Sequence, residues 1–118
     1  MRTVTETAII RGSQEEVFRT TADPEVQLRW DPGTLKSVEK LTPGALAKGS
    51  RYRGRFKGYR TVEFEFADYD PPHRFAHRAR MPLGTMNHLF TFQPVPDGTR
   101  LTQEGRLEPR GVGRSSGR

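Results

Sequence analysis

The sequence predicts an α+β fold in which one strand and two short helices are followed by an antiparallel sheet of about six to seven strands in all. Three observations lead there. Two helix-start signals follow each other closely in the first quarter of the chain. From Ser50 onward, apolar and charged side chains alternate with the period of two expected of strands with one buried face. Short links bearing Pro and Gly separate these stretches, which favours neighbouring antiparallel strands.

Residues 3–10 open the chain as a strand, with β-branched Val4, Ile9 and Ile10. Ser13, with Glu16 three residues on, makes a capping box, in which hydroxyl and carboxylate each satisfy an orphan backbone N–H at a helix start. Asp23-Pro24 repeats the signal, because Asp caps and Pro at the first helical position loses no hydrogen bond. Leu35 to Leu41 reads as a second, weaker strand. Tyr52, Gly54 and Phe56 then share one face, and Arg51, Arg53 and Arg55 the other. Val62, Phe64 and Phe66 form the next apolar row, followed by Phe75, His77 and Ala79. After them come Met86, His88, Phe90 and Phe92, then Leu101, Gln103, Gly105 and Leu107. Asp70-Pro71-Pro72 cannot continue a ladder, and Pro96-Asp97-Gly98-Thr99 is a tight-turn sequence. One face of the sheet is therefore aromatic and the other charged.

The 118 residues suit one domain, with residues 1–108 folded and residues 109–118 a Gly/Arg/Ser tail. No apolar run approaches the ~20 residues needed to span a bilayer, and the N-terminus lacks the apolar core of a signal peptide, so the expected location is cytoplasmic, without a membrane partner. Absence of cysteine excludes disulfides, thiolate metal sites and Cys nucleophiles. His73 and His77 are about 13 Å apart if extended, and no third ligand has convincing spacing, so no metal is expected.

Lys and Arg number 20 against 14 Asp and Glu, a formal charge of +6 that raises the question of nucleic acid. The arrangement argues otherwise. If a loop around Gly58 joins the flanking strands with Phe56 facing Arg60, then Arg53 stands opposite Glu63 and Arg51 opposite Glu65, with Arg78 and Arg80 beyond. Such cross-strand pairs stabilise a solvent face by about 0.2–1 kcal/mol each. A solvated ladder is the preferred reading over a phosphate-binding surface, and no nucleic-acid partner is expected.

Several phrases, in order, resemble the SRPBCC or START-like superfamily, in its polyketide cyclase/dehydratase-like branch. They are Ser13-Gln14-Glu15-Glu16-Val17-Phe18, Asp23-Pro24, Trp30 with Pro32, Gly49-Ser50-Arg51-Tyr52, Tyr69-Asp70-Pro71-Pro72-His73-Arg74-Phe75 and Asp97-Gly98-Thr99-Arg100-Leu101-Thr102. The resemblance implies a helix-grip fold, in which a curved antiparallel sheet grips a long C-terminal helix around an apolar cavity. This sequence departs from that pattern after Leu107, where the C-terminal helix is absent or severely shortened: no amphipathic stretch remains to form it. The aromatic face would then lack its lid, which points to self-association as a homodimer through that face.

The expected function is binding of a small hydrophobic or aromatic molecule in a cavity on the concave face. Tyr52, Phe56, Phe64, Phe66, Phe90 and Phe92 are the candidate lining, although the same rings also read simply as core. Trp30 would close one mouth of the cavity. His77 and His88 share the parity of the apolar face and are the candidate catalytic pair in an alternative reading as a cyclase/dehydratase-like enzyme; space-filling histidines are the plainer account. A non-enzymatic oligomerising subunit is the third reading. No cofactor is expected, since no nucleophile elbow, phosphate-binding loop or dinucleotide fingerprint is present.

Overall fold

The computed structural model describes residues 2–30, 33–58, 61–82 and 84–109. The chain runs β1 (Arg2–Ile10), α1 (Gln14–Ala22), α2 (Pro24–Trp30), β2 (Leu35–Lys40), β3 (Arg51–Phe56), β4 (Thr61–Asp70), β5 (Arg74–Met81), β6 (Gly84–Val95) and β7 (Gly98–Pro109). Every pairing is antiparallel, in the order β1-β7-β6-β5-β4-β3-β2. The helix-grip arrangement of the sheet and the first two helices is thus as the sequence predicts. Among the described residues no helix follows β7, which continues to Pro109; the rest of the expected tail lies outside the described residues.

Local chemistry places the helices. Ser13 Oγ accepts from the Glu16 backbone N–H at 3.2 Å, as a cap should, whereas the Glu16 carboxylate accepts from the Ser13 hydroxyl rather than from a backbone N–H. Asp23 ends α1 and starts α2: its N–H donates to the Arg19 carbonyl, and its Oδ1 accepts from the Glu25 N–H at 2.9 Å. Gln14 pins α1 to the sheet by donating to the carbonyls of Pro72 and Phe92. Phe18 then descends from α1 onto Tyr69, Phe75 and Phe92, with ring centroids 5.1–5.6 Å away. Its full burial contributes about 1.5–3 kcal/mol. The face that carries α1 is the inner face of the sheet.

The turn between β6 and β7 needs its glycine. Gly98 has φ +145°, and a Cβ there would run into the Ile10 carbonyl. Next to it, buried Thr99 donates from Oγ1 to the Gly12 carbonyl at 3.0 Å, tying that turn to the end of β1.

On the outer face the cross-strand register is the anticipated one, with Arg51 opposite Glu65 and Arg53 opposite Glu63. The side chains take diagonal partners as well. Glu63 receives both Arg51, at 3.4 Å, and Arg53, at 3.2 Å; Arg53 also reaches Glu39, and Glu65 pairs with Arg78. These groups are roughly half exposed, so each pair is worth at most about 1 kcal/mol.

Candidate functional site

Register aligns the inner face into rows that cross the sheet. One row runs Phe66, His77, His88, Gly105, Val4 over β4, β5, β6, β7 and β1. Beside it on one side lie Phe75, Phe90, Gln103 and Glu6, and on the other Tyr52, Phe64, Ala79, Met86 and Leu107. The two ends of these rows differ in character.

Toward β3, β4 and β5 the rings fill the space themselves. Tyr52, Phe66, Phe75, Phe90 and Phe92 are buried, Phe64 packs against them, and Phe75 stacks on Phe90 at 4.4 Å. This corrects the expectation of a broadly uncovered aromatic face: α1 covers one side through Phe18, and neighbouring rings bury one another. Among the described residues, the exposed large apolar side chains are Val4, Ile9 and Trp30. Phe56 lies over Gly54, where a Cβ would come within 2.8 Å of its ring, and stands outside the main core cluster.

His77 sits inside this aromatic half. Its ring centroid is 4.6 Å from Phe66, 4.9 Å from Phe64, 5.2 Å from Phe75 and 5.7 Å from Phe90. Nε2 is shut off from solvent and has no hydrogen-bond partner among the described residues. Burial, helped by the neighbouring His88, pushes its pKa down to about 3, so the ring is neutral near pH 7. His88, directly opposite across β5 and β6, is only half-buried and lies 4.3 Å from the Phe90 ring. Burial lowers its pKa too, opposed by a hydrogen bond with the Gln103 side chain and by the charge of Glu6.

Toward β6, β7 and β1 the face is open. A groove of about 470 Å³ is lined by Val4, Met86, His88, Gly105 and Leu107, with Glu6 and Gln103 at its polar side. Gly105 forms part of its floor: a Cβ there would meet only His88 Cδ2, at 4.0 Å. Trp30 belongs elsewhere. Its Nε1 donates to the Thr20 carbonyl at 3.0 Å, and its ring lines a separate groove of about 350 Å³ with Ile10, Val17 and Thr21. Among the described residues, no group of three or more His, Asp or Glu is placed to hold a metal ion.

The sequence therefore brings His77, His88 and the aromatic residues of β3 to β6 to one face, and leaves Trp30 apart. It underweights Val4, Glu6, Met86, Gln103 and Gly105. Alternation put Met86, Gln103 and Gly105 on the apolar parity, but only the β1–β7 register brings Val4 and Glu6 beside them.

Residues 1–117 match the family model described as polyketide cyclase / dehydrase and lipid transport. The chain belongs to that family. No curated protein matches the sequence. Among solved structures, protein MLL2253 from Mesorhizobium loti is similar at 20% identity and TM-score 0.73, over 98% of this chain and 84% of that one. The Aha1 dimer from Colwellia psychrerythraea, solved in solution, matches at 14% identity and TM-score 0.71 over 99% and 84%. Ara h 8.0201 matches at 13% identity and TM-score 0.77 over 94% and 79%. At these identities the likeness is one of fold. Within the polyketide cyclase / dehydrase and lipid transport fold, this chain places α1 and its buried rings at one end of the inner face and the Gly105 groove at the other. Among the described residues no helix is long and apolar enough to cross a membrane.

Proposed function

We propose that this protein binds a small hydrophobic molecule on the inner face of its sheet, at the β1–β7–β6 end. The observation carrying the reading is the groove of about 470 Å³, an apolar space next to a packed aromatic core, which no described side chain fills. Such a volume lies within the usual range of small-molecule sites, and apolar walls with a few polar groups are their usual lining. Of the candidate catalytic pair, His88 lines this groove; of the candidate ligand rings, Phe90 adjoins it through His88, while Tyr52, Phe64 and Phe66 belong to the core beside it.

The test is titration with Nile red, a neutral apolar dye, coupled to native mass spectrometry of the freshly purified chain. Saturable binding near one dye per chain, with a blue-shifted emission, is expected. Absence of both dye binding and a retained small molecule would overturn the reading.

An enzymatic role draws on the family description and on the two facing histidines. His88 is the group suited to it, because a ring pushed down to about 3 is too weak a base to move protons near pH 7. A second copy of the chain is a rival occupant of the same groove. What favours that reading is that β1 is an edge strand among the described residues, with Val4 56% exposed, together with a structural neighbour described as a dimer. Sedimentation at micromolar concentration separates the two, since a dimer built on this face would dissociate when Nile red saturates it.

A further inference from the structure

Gly105 is a mid-strand glycine without a backbone reason to be one. Its φ is not in the left-handed region, and a side chain would meet only the edge of His88 at ordinary contact distance. Gly54 shows the contrast: it also lies mid-strand, but the Phe56 ring occupies the space a Cβ would take. A mid-strand glycine weakens its strand and often marks a place where a ligand or another backbone comes close, and among the described residues no side chain covers Gly105.

The chemistry around the hollow is specific. Val4, Met86 and Leu107 give apolar walls. His88 lies opposite Gly105 and engages the Gln103 side chain, and an imidazole has a second nitrogen that can meet a ligand. Gln103 in turn lies opposite Glu6, so the polar side of the groove ends in a carboxylate. That carboxylate repels an anionic head at short range. A neutral imidazole accepts or donates according to its tautomer, and a hydroxyl answers either state because it does both.

Resting on the apolar-binding reading above, we propose that the hollow over Gly105 seats the hydroxyl end of a neutral alcohol or phenol, held by His88 and guarded against carboxylates by Glu6. The apolar body of the ligand lies along Met86 and Leu107, and the head group points to the Gln103 side. Specificity in this groove thus comes from one half-buried imidazole and one charge at the rim.

Three ring-matched probes test the assignment at pH 7 by fluorescence titration: naphthalene, 2-naphthol and 2-naphthoate. The wild-type chain is expected to bind 2-naphthol about tenfold more tightly than 2-naphthoate, the scale of one short-range charge repulsion in a partly solvated groove. Glu6→Gln should narrow that gap several-fold, and His88→Phe should erase the preference of 2-naphthol over naphthalene. Gly105→Val should fill the hollow and weaken both, with circular dichroism showing an intact sheet. Equal binding of 2-naphthol and 2-naphthoate, or a ratio that Glu6→Gln leaves unchanged, overturns the head-group assignment while Nile red binding keeps the apolar site standing. Unaltered 2-naphthol binding in Gly105→Val overturns the location. Failure of Nile red and all three probes together removes the apolar-binding reading and this assignment with it.

Discussion

The two ends of the inner face are built from the same alternation yet reach opposite outcomes. From β3 to β5 the inward positions are mostly aromatic, and rings of this size bridge from strand to strand until no space is left: Tyr52 stacks on Phe64 at 5.7 Å, and Phe66 and Phe75 are fully buried. Where β6, β7 and β1 run past Phe90, Phe92 and Leu101, the inward positions carry Met86, Gly105, Leu107 and Val4, whose smaller volumes leave a groove. Side-chain volume at equivalent positions, more than hydrophobicity, decides whether this face becomes core or site. The two histidines mark the boundary, His77 on the sealed side and His88 on the open side.

The sharpest way to break this contrast is truncation of a sealed ring. Phe66→Ala should lower stability by about 3–5 kcal/mol, the range for deleting a fully packed phenylalanine, as read by urea denaturation. A loss below about 1 kcal/mol would mean that the aromatic half is not a packed core.

Acid should act on the boundary. His77 has a folded pKa near 3, below its ordinary value of 6.5, so the unfolded chain binds the extra proton between these pH values. Stability from this residue is therefore complete above about pH 6.5 and is lost as pH falls toward 3, at up to about 1.4 kcal/mol per pH unit. His77→Phe should flatten the stability profile over that window by the same amount. An unchanged slope between the two proteins would place His77 in contact with water.

The glycines give the smallest effect and the finest discrimination. Gly54→Ala should cost about 1 kcal/mol or more, because the Phe56 ring must move from its 2.8 Å approach. Gly105→Ala should instead raise stability by about 0.4–1 kcal/mol, since the unfolded chain loses freedom and the folded one gains no clash. Thermal melts of the pair check both signs, and a loss at Gly105 would show that the hollow is narrower than described.

Much of the molecule was legible in the amino-acid order. Ser13 and Asp23 announce their helices through short-range hydrogen bonds, and Arg53 opposite Glu63 follows from the loop length around Gly58, because such features depend on residues close along the chain. Parity alone put His77 and His88 on one face with the phenylalanines. Parity does not say which side chains bury each other, and both readings of the aromatic rows, core and lining, follow equally from it.

The remainder required distant segments to meet. Pairing of β1 with β7 sets Glu6 opposite Gln103 and Val4 opposite Gly105, contacts spanning nearly the whole chain that no local pattern encodes. Trp30 reads as closing a mouth of the cavity from its place near the start of the second strand, but the way α2 lies against α1 sends its indole to the Thr20 carbonyl. By itself, then, the sequence determined the elements, their order and the two faces of the sheet, because capping, turn chemistry and alternation act over a few residues. Tertiary structure alone decided where the inner face is filled and where it is open, because that depends on the summed volumes of side chains brought together from separate strands.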